Sequence, residues 1–510
     1  MPVIRSLGHL RPPTPEQVAG YARLHHLHFS DGDTEHMLES IIGSLEPINA
    51  CEEADEPAIP LKHLYRDPGR APREGEDPYN AFIRYCEVRG ADSGPLHGKT
   101  LGVKDCIAVA GVPTTNAGRR TPAAVPTEDA VVIERLLDAG VTITGKTNLD
   151  DMALGLGEGS AFGAARNPLN PTRSTGGSSS GSGAAVAAGL VDLALGADEG
   201  GSVRIPSAWC GLVGMKATHG LVPSYGMSYV DHTLDHIGPM TKTVADNALM
   251  LEIMAGSDWR DPQWVRAAPT AGSYSATSGH GVRGLRVGII AEALEPAGAT
   301  PDVLAAFETG VKQLGALGAA VSEVSVPSWG MSPAMLSVVL AAGLYAMTTS
   351  YGLGAGHLGR VDPAVVAVNG AQMQLQADEL PWMLKTHLLL MEHLRDAYQL
   401  VPVAKAQNLR LELRRQISTL FEEVDILVTP TTPQVAFELH SKRSTQVEMD
   451  RRIRLSEAAN TCPLDLSGHP ALTVPCGTGA ADMPVGLQLI GPHFGEERLY
   501  AAGFALEATR

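Results

Sequence analysis

Two stretches of this chain bring hydroxyls and glycines close together. The first, 176–183, reads GGSSSGSG and holds Ser178, Ser179, Ser180 and Ser182. The second, 198–202, reads DEGGS and runs on into Val203 and Arg204. Glycine opens backbone conformations closed to other residues, and successive N–H groups at such a turn form a nest for negative charge. A serine hydroxyl beside a nest is the arrangement acyl transfer needs, a nucleophile next to an oxyanion hole. A serine also needs a base. No GxSxG elbow surrounds Ser202, but a lysine serves when burial keeps it neutral. Lys104 closes the apolar, strand-like run 100–103 and is the best candidate. Lys216, in GLVGMKAT, is a rival beside similar sequence.

Something rigid must carry these loops. A flexible linker does not alternate with tight apolar segments such as AAVAAGLVDLALGA. Residues 184–188 read as a short helix and 193–197 as a buried strand. Further strands are expected at 101–103, 141–144, 285–290, 425–428 and 471–474, with a helix over 130–138. Strands alternating with helices predict an α/β fold, a mostly parallel mixed sheet covered by helices on both faces. Residues 331–420 are rich in Leu, Met and Gln and predict a helical insertion covering the substrate site. Residues 14–50 read as helices, opened by the capping box Thr14-Pro15-Glu16-Gln17. Met37, Leu38, Ile41, Ile42 and Leu45 form an apolar stripe at helical spacing. The charged, proline-rich residues 52–78 read as an exposed linker. This division gives a small helical domain with its linker over 1–76 and a catalytic domain over 77–510.

Composition narrows the classes. A net charge of −17 over 510 residues argues against binding nucleic acid. The six cysteines are scattered without a CxxC, which suggests neither a disulfide framework nor a zinc site. No His, Asp and Glu grouping has metal-ligand spacing, so no metal and no cofactor are expected. Neither a signal peptide nor an apolar run of membrane length is evident, and a cytoplasmic location follows. Gly140–Thr147, GVTITGKT, matches the phosphate-loop pattern letter for letter. Its middle positions are strand formers and a helical pattern precedes it, the reverse of what that loop requires. His219, His232, His236 and His469 have no acidic partner pattern and read as structural.

GGSSSGSGAAVAAG followed by GADEGGSVRIPSAWCGLVGMK resembles the signature of the amidase signature family, and the 24-residue separation of Ser178 and Ser202 agrees with its pattern. The resemblance extends from about residue 79 to the C-terminus. The blocks THGLVPSYG and LDHIGPMTKTVADNALML are similar to those of the bacterial enantioselective and aryl amidase branch. It implies an amidase signature fold and a Ser–cis-Ser–Lys triad. Ser202 would be the nucleophile. Ser178, after a cis peptide from Gly177, would relay the proton to Lys104. The N–H groups of Glu199, Gly200, Gly201 and Ser202 would form the oxyanion hole, braced by Asp198 and Arg204. Gly157, Glu158 and Gly159 would line the acyl side of the site. Glu199 departs from the neutral residue usual at its position, so its side chain is expected to point away from the oxyanion or to pair with a cation.

The expected activity is hydrolysis of a carboxylic acid amide, or a related anilide, carbamate or hydrazide, through an acyl-Ser202 intermediate. The expected partners are a small-molecule amide-type substrate and a second copy in a homodimer, with no nucleic acid and no membrane. An alternative is the glutaminase subunit of a tRNA-dependent amidotransferase, against which stand the N-terminal helical segment and the acidic balance. A third, weaker reading is nucleotide binding through Gly140–Thr147.

Overall fold

Apolar strand runs and a helix of very small side chains dictate the architecture around the two serine loops. We describe a computed structural model of the chain over residues 10–261, 272–354, 359–440 and 455–510. The chain divides into two units, Met1–Pro60 and Leu61–Arg510.

The first unit holds the helices Pro15–Leu24 and Asp31–Glu53. Thr14 Oγ1 accepts from the Gln17 N–H at 3.2 Å while Gln17 Oε1 accepts from the Thr14 N–H at 2.8 Å. This reciprocal capping satisfies donors that a helix start otherwise leaves free. Met37, Leu38, Ile41 and Leu45 are half-buried and Ile42 is exposed.

The second unit is built on one mixed sheet. Its strands are β1 (Arg66–Arg70), β2 (Phe82–Arg89), β3 (Thr100–Lys104), β4 (Thr142–Thr147), β7 (Leu193–Asp198), β8 (Val213–Lys216), β9 (His236–Thr241), β10 (Arg286–Ile290), β11 (Ala320–Val324), β12 (Ile426–Pro430), β13 (Ala471–Thr478) and β14 (Pro484–Ile490). A separate hairpin pairs β5 (Arg166–Asn167) with β6 (Asn170–Ser174). The order across the large sheet is β1-β2-β4-β3-β7-β9-β8-β13-β14-β12-β10-β11. The expectation of a mostly parallel sheet needs refining. Parallel pairing joins β3 to β4 and β7, and β10 to β11 and β12. The other neighbours are antiparallel; β13 and β14, for example, form a hairpin too short for a parallel crossover.

The stretch read as an exposed linker contains β1, an edge strand paired antiparallel with β2. Its charges misled because an edge strand keeps one side in water. Arg66 of β1 is nevertheless buried against Asp129. Thr142–Thr147, most of the GVTITGKT match, is strand β4 rather than phosphate loop. Lys146 donates to the Ile107 carbonyl at 2.7 Å and to Thr114 Oγ1 at 3.0 Å, and pairs with Asp105 at 3.1 Å. The insertion is helical, with Ser332–Thr349, Pro363–Gln376, Trp382–Tyr398 and Val401–Leu420. Its first helix, with the turn before it, is apolar and long enough to cross a membrane, but half of that stretch is buried inside the protein.

β7 reads LALGAD and is buried throughout, as a central strand covered on both faces must be. The helix over it, Ser180–Ala187, reads SGSGAAVA, and only residues this small allow its close approach. Ser182 Oγ donates to the Leu195 carbonyl of β7 at 2.8 Å and lies 2.7 Å from Thr147 Oγ1. A Cβ on Gly181 would lie 2.2 Å from the Ala81 carbonyl oxygen and 2.3 Å from the Asn148 nitrogen, both backbone atoms that cannot step aside. Gly181→Ala should therefore destabilise the chain by about 2 kcal/mol or more, the upper part of the range for overpacking. A thermal melt unchanged within a degree would show that helix and sheet are more loosely packed than this.

Candidate active site

Lys104 ends β3 and is fully buried. Its Nζ donates to Ser178 Oγ at 2.8 Å and to the Ala197 carbonyl of β7 at 3.1 Å. Ser178 is also fully buried, and the Gly177–Ser178 peptide is cis. Parallel pairing of β3 with β7 is what brings Lys104 to the end of the strand that leads into the second serine loop.

That loop, Glu199–Ser202, is a turn closed by a carboxylate. Asp198 Oδ2 accepts the N–H groups of Val203 at 3.0 Å and Arg204 at 3.3 Å, so the chain leaves β7 and is caught again five residues later. The Thr461 hydroxyl donates to the Gly200 carbonyl at 2.6 Å. Gly201 has φ +135°, and a Cβ there would lie 2.3 Å from Thr461 Oγ1, so this position must be glycine. Among the described residues the N–H groups of Gly200, Gly201 and Ser202 donate to no protein acceptor, and the Ser202 hydroxyl makes no hydrogen bond. Ser202 keeps 8% of its surface exposed. The turn thus offers a reachable hydroxyl beside backbone donors left open for a ligand.

Arg204 is the anchor. Its Nε and Nη2 donate to Asp198 at 3.0 and 2.8 Å, and Nη2 donates also to Asp465 Oδ2 at 2.7 Å. Its Nη1 donates to the Thr461 carbonyl and to Gln488 Oε1, both at 2.9 Å. Burial would raise Asp198, but the guanidinium holds its carboxyl well below the usual range. Burial and repulsion from Asp198 push Asp465 well above that range. The guanidinium thus favours ionisation of Asp198, while burial and Asp198 push Asp465 the other way. Sequence reasoning named Asp198 and Arg204 and missed Asp465, Thr461 and Gln488, which lie more than 250 residues away and carry no local pattern.

Asp150 was also missed. It follows β4, and its N–H donates to the Ser178 carbonyl at 3.3 Å. Its carboxylate accepts the N–H groups of Gly157 at 2.8 Å and Gly159 at 2.6 Å. A Cβ on Gly177 would lie 2.3 Å from Asp150 Oδ2, which places this carboxyl directly under the first serine loop. Burial pushes it up to about 6, against the pull of those N–H groups and of Lys104. The sequence signal was Asn148-Leu-Asp150-Asp151 directly after a strand.

The structure also places the glycine loop, Glu199 and Lys216. The N–H groups of Gly157 and Gly159 are occupied by Asp150, and Glu158 accepts from the His440 N–H at 2.6 Å and contacts its ring. This glycine loop supports Gly177 and Ser178 rather than presenting free donors. Glu199 does not turn to solvent; it is 6% exposed, and among the described residues no ion pair to it is seen. Burial raises its carboxyl to about 7, with Lys104 pulling it down and Asp198 pushing it up. Lys216, the rival base, points elsewhere. Its Nζ donates to the Ala217 carbonyl at 3.2 Å and lies 3.3 Å from His236 Nε2, and burial lowers it to about 8.

The insertion reaches this turn, since a Cβ on Gly200 would lie 3.2 Å from Leu336 of its first helix. Beneath the insertion is a cavity of about 170 Å³ whose walls include Cys106, Asn116, Met152, Ser228, Leu344 and Met347. Asn116–Ala117 and Met152–Ala153 are consecutive left-handed pairs, with φ between 51° and 60°. For residues other than glycine that conformation costs roughly 1–2 kcal/mol apiece.

Comparison with known proteins fits this geometry. The family model described as Amidase matches residues 82–500. The A subunit of glutamyl-tRNA(Gln) amidotransferase from Natronomonas pharaonis is 40% identical over 443 residues, covering 84% of this chain and 99% of that protein. The crystal structure of the corresponding A subunit from Thermotoga maritima superposes with a TM-score of 0.67 at 31% identity, covering 82% of this chain and 85% of that one. A 6-aminohexanoate cyclic dimer hydrolase solved with its substrate gives 0.71 at 26% identity, covering 82% and 86%. The amidotransferase relatives overturn one expectation, that of a small-molecule substrate alone with no nucleic acid. Proteins 38–40% identical to this chain are subunits of an amidotransferase named for a tRNA. They also replace the enantioselective and aryl amidase branch as the similarity found. With the family model spanning 82–500 and these identities over most of its length, the chain belongs to the amidase family.

Proposed function

We propose that this chain hydrolyses a carboxamide to carboxylate and ammonia through an acyl-Ser202 intermediate, as the ammonia-releasing subunit of a tRNA-dependent amidotransferase. The observation that carries the chemistry is the buried contact of 2.8 Å between Lys104 Nζ and Ser178 Oγ, beside a turn with open backbone donors. In the reaction Ser202 Oγ attacks the amide carbon, and its proton passes through Ser178 Oγ to Lys104 Nζ. The N–H groups of the turn receive the oxyanion; one such donor typically supplies ~10²–10³ in rate. The proton returns to the nitrogen, ammonia leaves, and water frees the acid from Ser202 by the same route. The subunit role is supported by identities of 38–40% extending over 99% of the archaeal A subunits. A cytoplasmic setting accords with six cysteines that are all unpaired.

A second reading is an amide hydrolase that works without companion subunits. Met1–Pro60, a unit of its own, lies ahead of the matched residues, and the cyclic dimer hydrolase is as similar in structure as the amidotransferase subunit. The test is glutamine hydrolysis by the purified chain, alone and with the companion subunits and glutamyl-tRNA(Gln) from its own source. Glutaminase activity that rises on assembly, with ammonia delivered to the tRNA, supports the subunit role. Rapid hydrolysis of other amides, indifferent to the companions, replaces it with the second reading. In either case Ser202→Ala should abolish turnover with the fold intact, and Lys104→Ala should cost several orders of magnitude. Near-native activity in Ser202→Ala would remove the mechanism altogether.

Glu199 gives a pH prediction. Its carboxyl, raised to about 7, is protonated below that pH and negative above it. Negative charge beside the oxyanion opposes the transition state. Glu199→Gln stays neutral throughout, so the ratio of its kcat/KM to that of wild type should climb as pH rises through about 7. A flat ratio would mean that the carboxyl does not ionise within reach of the reacting carbonyl.

The anchor gives an asymmetric pair. Asp198→Asn removes the ionised partner of a buried guanidinium and should cost about 3–5 kcal/mol, with activity lost. Asp465→Asn alters the partner whose charge burial and Asp198 oppose and keeps an acceptor of the same shape, so it should cost less, about 1 kcal/mol. Equal losses in chemical denaturation would show that the two carboxyls hold the guanidinium alike.

A further inference from the structure

Asp150 is fully buried, and the protein gives its carboxyl no room to move. Oδ1 accepts the Gly159 N–H at 2.6 Å, and Oδ2 accepts the Gly157 N–H at 2.8 Å. A Cβ on Gly155 would lie 2.5 Å from Oδ1, and one on Gly177 2.3 Å from Oδ2, so glycine at both positions is what leaves the carboxyl its space. Because each oxygen accepts from a backbone N–H, a carboxylate suits the place, whereas a carboxamide would bring a donor against a donor on one side. The backbone of Asp150 closes the same corner, its N–H donating to the Ser178 carbonyl at 3.3 Å.

Neighbouring buried carboxylates have cations of their own. Asp105 pairs with Lys146 at 3.1 Å, Asp151 with Arg120 at 2.6 Å and Asp198 with Arg204 at 2.8 Å. Asp150 makes no such pair among the described residues. An isolated buried charge is costly. The cation that acts on this one is Lys104, whose Nζ meets Ser178 Oγ at 2.8 Å, one residue beyond Gly177. The other charged groups that face Asp150 are Glu158 of the glycine loop and Glu199 of the second serine loop, both acidic. Positive charge beside this carboxyl therefore comes from Lys104, and only when a proton sits on Nζ.

We propose that Asp150 is a positioning residue of the proton relay: its carboxylate holds the Gly177–Ser178 corner against Lys104 and supplies the counter-charge to the lysinium that forms there. As Ser202 Oγ bonds to the amide carbon, its proton passes to Ser178 Oγ while the Ser178 proton passes to Nζ, and oxyanion and lysinium appear together. Asp150 takes no proton; it stabilises the charged base until that proton returns to the leaving nitrogen. A carboxylate in this place has two opposed effects. It favours the lysinium in the transition state, and it makes the resting lysine harder to deprotonate. This rests on the Lys104–Ser178–Ser202 relay of the proposed function and is independent of the subunit role.

The two effects together give a signature that a purely structural aspartate would not. The pH dependence of kcat is measured for the amide the chain turns over fastest, in Asp150→Asn and Asp150→Ser, both in a Glu199→Gln background so that Glu199 does not titrate in the same range. Asn keeps the shape, and Ser leaves room for water to accept both N–H groups. In both variants the acid limb should move to lower pH by about one unit or more. The plateau kcat should fall, by up to about tenfold for each unit. A fall in kcat with the acid limb in place, which loosened packing alone would produce, overturns the proposal. A second measurement leaves Asp150 and its hydrogen bonds untouched. In the Glu199→Gln chain, adding Lys104→Met should move the appearance of a protonated-carboxyl infrared band to higher pH by about one unit or more, because Asp150 loses its counter-charge. A band that stays in place overturns the proposal even where the Asp150 variants do not fold. Failure of the relay itself is read separately, as turnover that survives Ser202→Ala.

Discussion

A single buried guanidinium holds the reactive turn in shape. Arg204 has five N–H donors, and the five contacts it makes run to Asp198 twice, to Asp465, to the Thr461 carbonyl and to Gln488. Those partners come from β7, from β14 and from the helix Cys462–Ser467 with the residue before it. Desolvating so many polar groups is unfavourable unless they are matched; here every Arg204 nitrogen is, though Asp465 Oδ1 is left without a hydrogen bond, and the matching fixes the spacing between the end of β7 and Ser202. The network is therefore better understood as a constraint on geometry than as a source of stability. Thr461 extends the constraint by holding the Gly200 carbonyl back, which aims the neighbouring N–H groups away from the protein.

The rest of the site follows from strand order. β4, β3 and β7 are neighbours and run parallel, so their C-terminal ends lie side by side. Ligand sites in parallel sheets form at such ends. Lys104 closes β3, Asp198 closes β7, and Asp150 follows β4 by three residues. Ser178 enters this row from the loop ahead of Ser180–Ala187, a helix whose small residues let it sit against the same strands. Asp150 then couples the row to the glycine loop 155–159 through two short N–H bonds. The proposed chemistry uses three side chains, but their placement needs three strands, a close-packed helix and the buried carboxyl of Asp150.

How much of this was legible in the sequence depended on range. Lys104, Ser178, Ser202, Asp198 and Arg204 stand in compact motifs whose residue types announce a tight turn or a buried strand end. Asp465 and Gln488 stand in ordinary strand and helix sequence, and their value appears only when the fold brings them to Arg204. The glycine loop shows the same limit of range. Gly157 and Gly159 do offer close N–H donors, but the acceptor is Asp150 of the same chain, and nothing local distinguishes that from a ligand. Residues 66–70 were misread because proline and charge suit an edge strand as well as a linker. Glu199 was expected, on electrostatic grounds, to point away from the oxyanion or to pair with a cation. The fold buries it, and burial settles the conflict by raising its carboxyl rather than by moving the side chain.

The same segments that hold the reacting groups also wall the cavity, and this limits how the protein can change its substrate. Asp105 links Lys104 to the 114–117 loop through its carboxylate and carbonyl, since it accepts from the Thr115 N–H at 2.9 Å and the Asn116 N–H at 3.2 Å. Backbone changes there would move the base as well as the pocket. The helical insertion has no such bond to Lys104 or Ser178 among the described residues; it meets the site through apolar side chains such as Leu336 and Leu344. Apolar contacts tolerate exchange at modest cost when volume is kept, whereas a buried polar array does not. Variation in substrate preference within this architecture should thus fall on the insertion-side wall, while the 104–117 and 148–159 segments stay fixed by the geometry that catalysis demands.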